Sequence, residues 1–147
     1  MADDGVGMDR ERSAANARLG RVFFQEQDRL RGGPAEELCG PGYTARLGSG
    51  PSMDRAGHEG FAQGFYAGFP DVAHHIEDVI ATPDAVVVRF VLRGTHAGSF
   101  FGIPASQRSI NVPAHAILRV RDGRVGELLA VFDEAGLLRQ IGVLPSG

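Results

Sequence analysis

Apolar residues change their spacing once along this chain. Up to Pro70 they recur at helical intervals, and from Val72 onward they alternate or run continuously as strands do. In "SAANARLGRVFFQEQDRL", Leu19, Val22, Phe23, Glu26 and Leu30 share one mostly apolar side, with Arg18, Arg21 and Asp28 on the other. This spacing predicts an amphipathic helix ended by Gly32, Gly33 and Pro34. "PAEELC" predicts a short helix with Pro34 in its first turn, and "GPGYTARLGSGP" a turn-rich segment with one short strand at Tyr43–Leu47. In "DRAGHEGFAQGFYAGFPD", Phe61, Phe65 and Phe69 form an aromatic stripe on a further helix, which Pro70 stops. The stripe serves core packing, and the same position suits the wall of a ligand cavity. Residues 1–10 are polar and acidic and are expected to be a disordered N-terminal tail before a single domain over 11–147.

Four strand candidates follow: "VAHHIEDVIAT", "DAVVVRFVLRGTHAG", "SINVPAHAILRVR" and "RVGELLAVF". Asp122-Gly123 between the last two is a hairpin signal, since a type I′ turn needs positive φ at both central residues. Helices first and an antiparallel meander afterwards predict an α+β fold. Side-chain alternation puts Val86, Val88, Phe90, Leu92, Gly94 and His96 on one face, and Val112, Ala114, Ala116 and Leu118 on one face of the next strand. Small inward residues there leave space. In the last strand the same alternation groups Val125, Glu127, Leu129, Val131 and Asp133, so a curved sheet crossed by helices would enclose an apolar cavity with His96 and Asp133 at its polar end.

Composition narrows the partners. The chain has 147 residues, 43% hydrophobic and 22% charged, enough for one core. A formal charge of −3 with scattered Arg residues offers no footprint for nucleic acid. No apolar run reaches membrane-spanning length, no signal-peptide pattern is visible and the single Cys39 reads as buried filler, so a cytoplasmic protein is expected. All 15 basic residues are Arg, which excludes Schiff-base chemistry on a lysine.

"FPDVAHHIEDVIATPDAVVVRFVLRGTHAGSFFGIPASQRSINVPAHAILRVRDGRVGELLAVFDEAGLLRQIG" resembles the SnoaL-like polyketide cyclases of the nuclear transport factor 2-like cone fold. The marks are "FPD", "RGTHAGSFFGIP", the "RVRDGRV" hairpin and the terminal "D…GLLRQIG". The resemblance implies N-terminal helices on a curved antiparallel sheet forming a cone with an internal apolar cavity, usually in a homodimer. It also implies intramolecular aldol ring closure on aromatic polyketide intermediates of antibiotic biosynthesis, without metal or cofactor. The family's acid/base aspartate matches Asp133 and its strand histidine matches His96. Ala116 stands where cyclases carry a polar group, Leu129 where many have Trp, and Arg46 where many have His. Ring hydroxylation on the same scaffold and non-catalytic binding of a hydrophobic ligand remain open.

For Asp133 a helix N-cap is the competing explanation, and for His96 a satisfied structural group. The expected substrate wall comprises Phe61, Phe65, Phe90, Tyr43, Ala116 and Leu129. Tyr43 and Tyr66 each carry a hydroxyl able to reach substrate. His74 and His75 face opposite ways and are read as surface groups, His58 as solvated at a helix start, and Arg89 as a cross-sheet partner of Glu77. No metal-ligand spacing is present. Val87, Val91 and Ile117 on the outer sheet face suggest the dimer contact.

Overall fold

Asp122 and Gly123, at φ 52° and 75°, turn the chain between strands β4 (Ser109–Arg121) and β5 (Arg124–Phe132), as the Asp-Gly pair predicts. The computed structural model describes residues 2–145. In chain order the elements are α1 (Ala2–Leu30), a 3-10 turn at Glu36–Leu38, β1 (Cys39–Leu47), α2 (Arg55–Gly68), β2 (Ala73–Ala81), β3 (Ala85–Thr95), β4, β5 and α3 (Glu134–Gln140). The five strands form one sheet in the order β1-β5-β4-β3-β2. Strands β2 to β5 are the expected antiparallel meander, and β1 adds an edge that runs parallel to β5. The fold is α+β, a cone of helices on a curved sheet.

The N-terminal segment differs from expectation. Residues 1–10 were expected as a disordered tail, yet the chain is helical from Ala2 onward. Once α1 is nucleated against the sheet, each added residue gains a backbone hydrogen bond without needing anything to bury.

The buried face of α1 runs through Asn16, Gly20, Phe23, Phe24 and Gln27, whereas Val22 and Leu30, expected on it, are exposed. Asn16 fixes this rotation by donating to the carbonyls of Thr82 and Pro83 at 2.9 and 3.1 Å. Gly20 permits close approach to β3, since a Cβ there would lie 2.9 Å from Val86 Cγ2. Helix α2 starts at Asp54, whose side chain accepts from the Gly57 N–H at 2.8 Å. Its aromatic stripe packs inward, with Phe65 and Phe69 ring centroids 5.2 Å apart.

Strands β3 and β4 follow their predicted alternation: Val86, Val88, Phe90 and Leu92, and Val112, Ala114, Ala116 and Leu118, are all buried under the helices. Each large apolar side chain buried here contributes roughly 1.5–3 kcal/mol. Strand β5 does not follow it. The ladder pairs Val120 with Val125 but Arg119 with Glu127, which leaves Gly126 as an extra residue. Such a bulge reverses the alternation beyond it. Val125, Leu128, Ala130 and Phe132 therefore pack on the core, and Leu129 and Val131 lie exposed on the convex face.

Candidate functional site

A half-enclosed cavity of ≈ 70 Å³ lies between α1, α2 and the concave sheet, walled by Phe61, Phe65, Phe90, Ala114 and Phe132. Its polar lining comes from Gln27 of α1, His58 and Tyr66 of α2, and His74 of β2. His74 points inward because its ladder partner is Leu92, an inward residue of β3.

Asp28 ties two of these groups together. Its carboxylate accepts from His74 Nδ1 at 2.7 Å, from the His74 backbone N–H at 2.8 Å and from the Tyr66 hydroxyl at 2.6 Å. Burial alone would raise this carboxyl, but the hydrogen bonds and charge of His74 and the bond from Tyr66 outweigh it and hold the pKa below the ordinary 3.8. An ionised carboxylate only accepts, so His74 carries its proton on Nδ1. Its Nε2 has no hydrogen-bond partner among the described residues. The ring packs against both Phe24 and Phe90, with centroids 5.0 and 4.9 Å away, and those two rings are 4.9 Å from each other. The Tyr66 phenol is pushed up by burial and by Asp28, so it stays a donor.

A second buried pair stands nearby. His58 Nδ1 lies 2.9 Å from the Tyr43 hydroxyl, and the two rings stack with a 9° interplanar angle. Burial, with a smaller push from His74, lowers the His58 pKa from 6.5 to about 4, so the imidazole is neutral at ordinary pH. Gln27 is 7% exposed, and its Oε1 is buried without a hydrogen-bond partner.

The residues singled out from the sequence divide. Phe61, Phe65 and Phe90 line the cavity, and Tyr43 stands behind the wall, holding His58. Ala116 is fully buried in the core beyond that wall. Leu129 faces outward, a correction that follows from the bulge at Gly126. Neither His96 nor Asp133, expected together at the cavity's polar end, is among the residues that line it. His96 is fully buried, stacks on Phe69 at 5.2 Å and accepts from the Ser106 backbone N–H at 3.1 Å, while its backbone pairs with Gln107 and Arg108; it clamps the loop after β3. Asp133 is exposed and caps α3, accepting from the Gly136 N–H at 2.9 Å. It borders a more open pocket of ≈ 270 Å³ that shares Phe90, Ala114, Val131 and Phe132 with the cavity wall and extends to Glu77, Arg89 and His115. There Arg89 donates to Glu77 at 2.9 Å, as expected.

His58 and His74, read as solvated and surface groups, are the imidazoles that the cavity contains, and Asp28 and Gln27 were passed over. The signal for His58 was its spacing: with Ala62 and Phe65 it lies at i, i+4 and i+7, on the aromatic stripe itself. Among the described residues no three His, Cys, Asp or Glu side chains converge as a metal site would require, and no helix is long and apolar enough to cross a membrane.

Comparison with known proteins places this geometry. The sequence profile of the family described as SnoaL-like polyketide cyclase matches residues 23–141. Among solved structures, IdmH of Streptomyces antibioticus, a candidate polyketide cyclase, is 31% identical, with a TM-score of 0.69 over 90% of this chain and 99% of its own. A candidate SnoaL-like polyketide cyclase from Jannaschia sp. CCS1 gives 0.79 at 23% identity over 90% and 95%. AclR of Streptomyces galilaeus, a candidate hydroxylase, gives 0.74 at 22% over 92% and 87%. Against curated protein sequences the chain has no match. The cone, its apolar cavity and the matched span lead to one conclusion: the chain belongs to the SnoaL-like polyketide cyclase family.

Proposed function

We propose that the protein closes a carbon–carbon ring on an aromatic polyketide intermediate, as in antibiotic biosynthesis, by cofactor-free intramolecular aldol addition in which His74, oriented by Asp28, is the acid/base. The observation that supports this most is the His74 ring in the cavity wall, with Nδ1 bound to Asp28 and Nε2 without a protein partner. Nε2 takes a proton from the carbon between two carbonyls. That carbon bonds to a second carbonyl carbon of the same chain, and the alkoxide oxygen formed takes the proton back from the imidazolium. Atoms balance without a co-reactant.

A placed acid/base contributes roughly 10²–10⁴ in rate. A doubly activated methylene needs little more, and the rest comes from holding the chain folded. An apolar cavity of about 150 Å³ holds benzene, so ≈ 70 Å³ takes the reacting end of the substrate, with the remainder extending through the opening. In this reading Asp133 and His96 serve the fold: one caps α3, the other clamps a loop. The convex face, where Val87 pairs with Ile117 and Ile117 with Leu129, forms a homodimer contact.

The test is deletion of the gene in its host, complemented with native or His74→Gln protein, with intermediates compared by mass spectrometry. Accumulation of an isomer of the product lacking one ring, uncorrected by His74→Gln, is expected. A fully ringed compound lacking one oxygen would establish hydroxylation instead, and unchanged metabolites would favour a binding role.

A further inference from the structure

The carboxylate that orients His74 is unevenly loaded. Oδ1 of Asp28 receives two side-chain donors, the Tyr66 hydroxyl at 2.6 Å and His74 Nδ1 at 2.7 Å. Oδ2 receives the His74 backbone N–H at 2.8 Å. The phenol and the imidazole therefore draw on the same oxygen. A hydrogen bond from Tyr66 stabilises the negative charge where it lies, and charge so held pulls less on the Nδ1 proton. The phenol has one proton, and it is committed to Asp28.

Arg31 brings a further charge to the phenol. Its guanidinium carbon stands over the Tyr66 ring, 4.6 Å from the centroid, and Nη1 donates to the Val72 carbonyl at 2.8 Å. A cation over an aromatic face is attracted by the ring's electrons. On this phenol Arg31 acts against burial and Asp28, favouring release of the proton and so making the hydroxyl a readier donor. The backbone at Arg31 is held at φ 54°, a left-handed conformation unfavourable for a residue with a Cβ, although Gly32 comes next. Strain of this kind persists where contacts over-determine it. Here those contacts are the Tyr66 ring and the Val72 carbonyl.

We infer that Tyr66 and Arg31 are positioning residues for His74: by binding the oxygen that His74 uses, Tyr66 limits how firmly the imidazole holds a second proton, and Arg31 strengthens that restraint. This rests on the ring-closure reading. There Nε2 takes a proton from carbon and then returns it to the alkoxide, and a base serves both steps best when it is poised near the working pH. Unshared, the charge of Asp28 would hold the imidazolium too firmly for the second step. The other neighbours of the ring add no charge: Phe24 of α1 and Phe90 and Leu92 of β3 are apolar, and His58 of α2 is neutral at ordinary pH. On β2 itself, His75 points to the opposite face.

The test titrates the imidazole and needs no substrate. Ring signals of the five histidines are followed by NMR against pH in the full-length protein, and the His74 signal is the one lost in His74→Gln. Tyr66→Phe is expected to raise the midpoint of that signal by about one pH unit, a tenfold firmer hold on the proton. Arg31→Gly is expected to raise it by less, and to add nothing in the Tyr66→Phe protein. Asp28→Asn, which removes the charge itself, is expected to lower it. Glycine suits the left-handed backbone at position 31, so Arg31→Gly supplies a folded variant even if Tyr66→Phe does not fold. An unmoved midpoint in folded Tyr66→Phe, or in Arg31→Gly, overturns the inference even where Tm falls, since such residues would serve the fold alone. An undiminished effect of Arg31→Gly in the Tyr66→Phe protein would mean that Arg31 acts through space and would overturn its place in the series. If ring closure fails in the host while the midpoints move as expected, only the reaction is wrong. If closure depends on His74 while the midpoints stay, only the restraint is.

Discussion

The carboxylate of Asp28 and the imidazole of His74 meet at 2.7 Å although they are 46 residues apart in sequence, one near the end of α1 and the other near the start of β2. Asp28 also accepts the backbone N–H of His74, so the same residue fixes both the strand and its side chain. Asp28 orients the proposed base in a wall that is otherwise mostly apolar, with Gln27 and His58 beside it.

Asp28→Asn tests that orientation. It keeps the size of the side chain and removes the charge that favours Nδ1–H on His74. Ring closure is expected to slow by about 10²-fold, with circular dichroism unchanged. A rate within threefold of native would remove Asp28 and His74 from the chemistry.

Asp133 supplies the opposite control. Loss of an N-cap costs about 1 kcal/mol, and Asn caps as well as Asp. Asp133→Ala should lower the urea midpoint measurably, Asp133→Asn should not, and neither should change the rate of ring closure more than threefold. A folded Asp133→Asn protein without activity would return the acid/base role to Asp133.

His58 makes stability depend on pH. Its folded pKa of about 4 lies below the ordinary 6.5, so between those values the unfolded chain binds a proton that the folded protein does not. Stability is fully present above 6.5 and is lost as pH falls toward 4, by on the order of 3 kcal/mol. Asp28, with a lowered carboxyl, adds a loss only at still lower pH. Urea unfolding at pH 7.5 and 4.5 should show the decline, and His58→Gln should flatten it. An equal slope in the variant would mean that His58 titrates normally.

The convex face carries the proposed dimer. Ile117 lies between Val87 and Leu129 in adjacent strands, and Leu129 is 37% exposed. Leu129→Arg puts a charge into that row without touching the core, and analytical ultracentrifugation is expected to show native dimers and variant monomers. Monomers for both would show that the row is not a contact.

What could be read from the sequence was whatever depended on unbroken periodicity. Strand β4 keeps its alternation and β3 does so except at Val91, which was expected on the outer face and is buried too; the inward residues are those predicted, from Val86 to Leu118. The aromatic stripe of α2 and the Asp-Gly hairpin were equally local. The site was harder because its polar residues violate the sorting rule that finds a core. Asp28 was assigned to the solvent side of α1 for its charge, and it is partly buried because three donors satisfy it. His58 was assigned to solvent for its polar neighbours, although its spacing placed it on the buried stripe. His96 and Asp133 were chosen by strand parity and by family motif, and parity failed for β5 at Gly126.

That extra residue has a wider meaning. A bulge is a frame shift written in side chains: upstream and downstream of Gly126 the same sequence register addresses opposite worlds, the core on one side and the outer surface on the other. Removing Gly126 would exchange Leu128, Ala130 and Phe132 for Leu129 and Val131 at a stroke, turning a pocket wall into a surface and a surface into a wall. Relatives aligned through their closing helix share pocket residues with this chain only if they carry the same irregularity. Inheritance of function along β5 is thus decided by one glycine that lies outside the cavity lining.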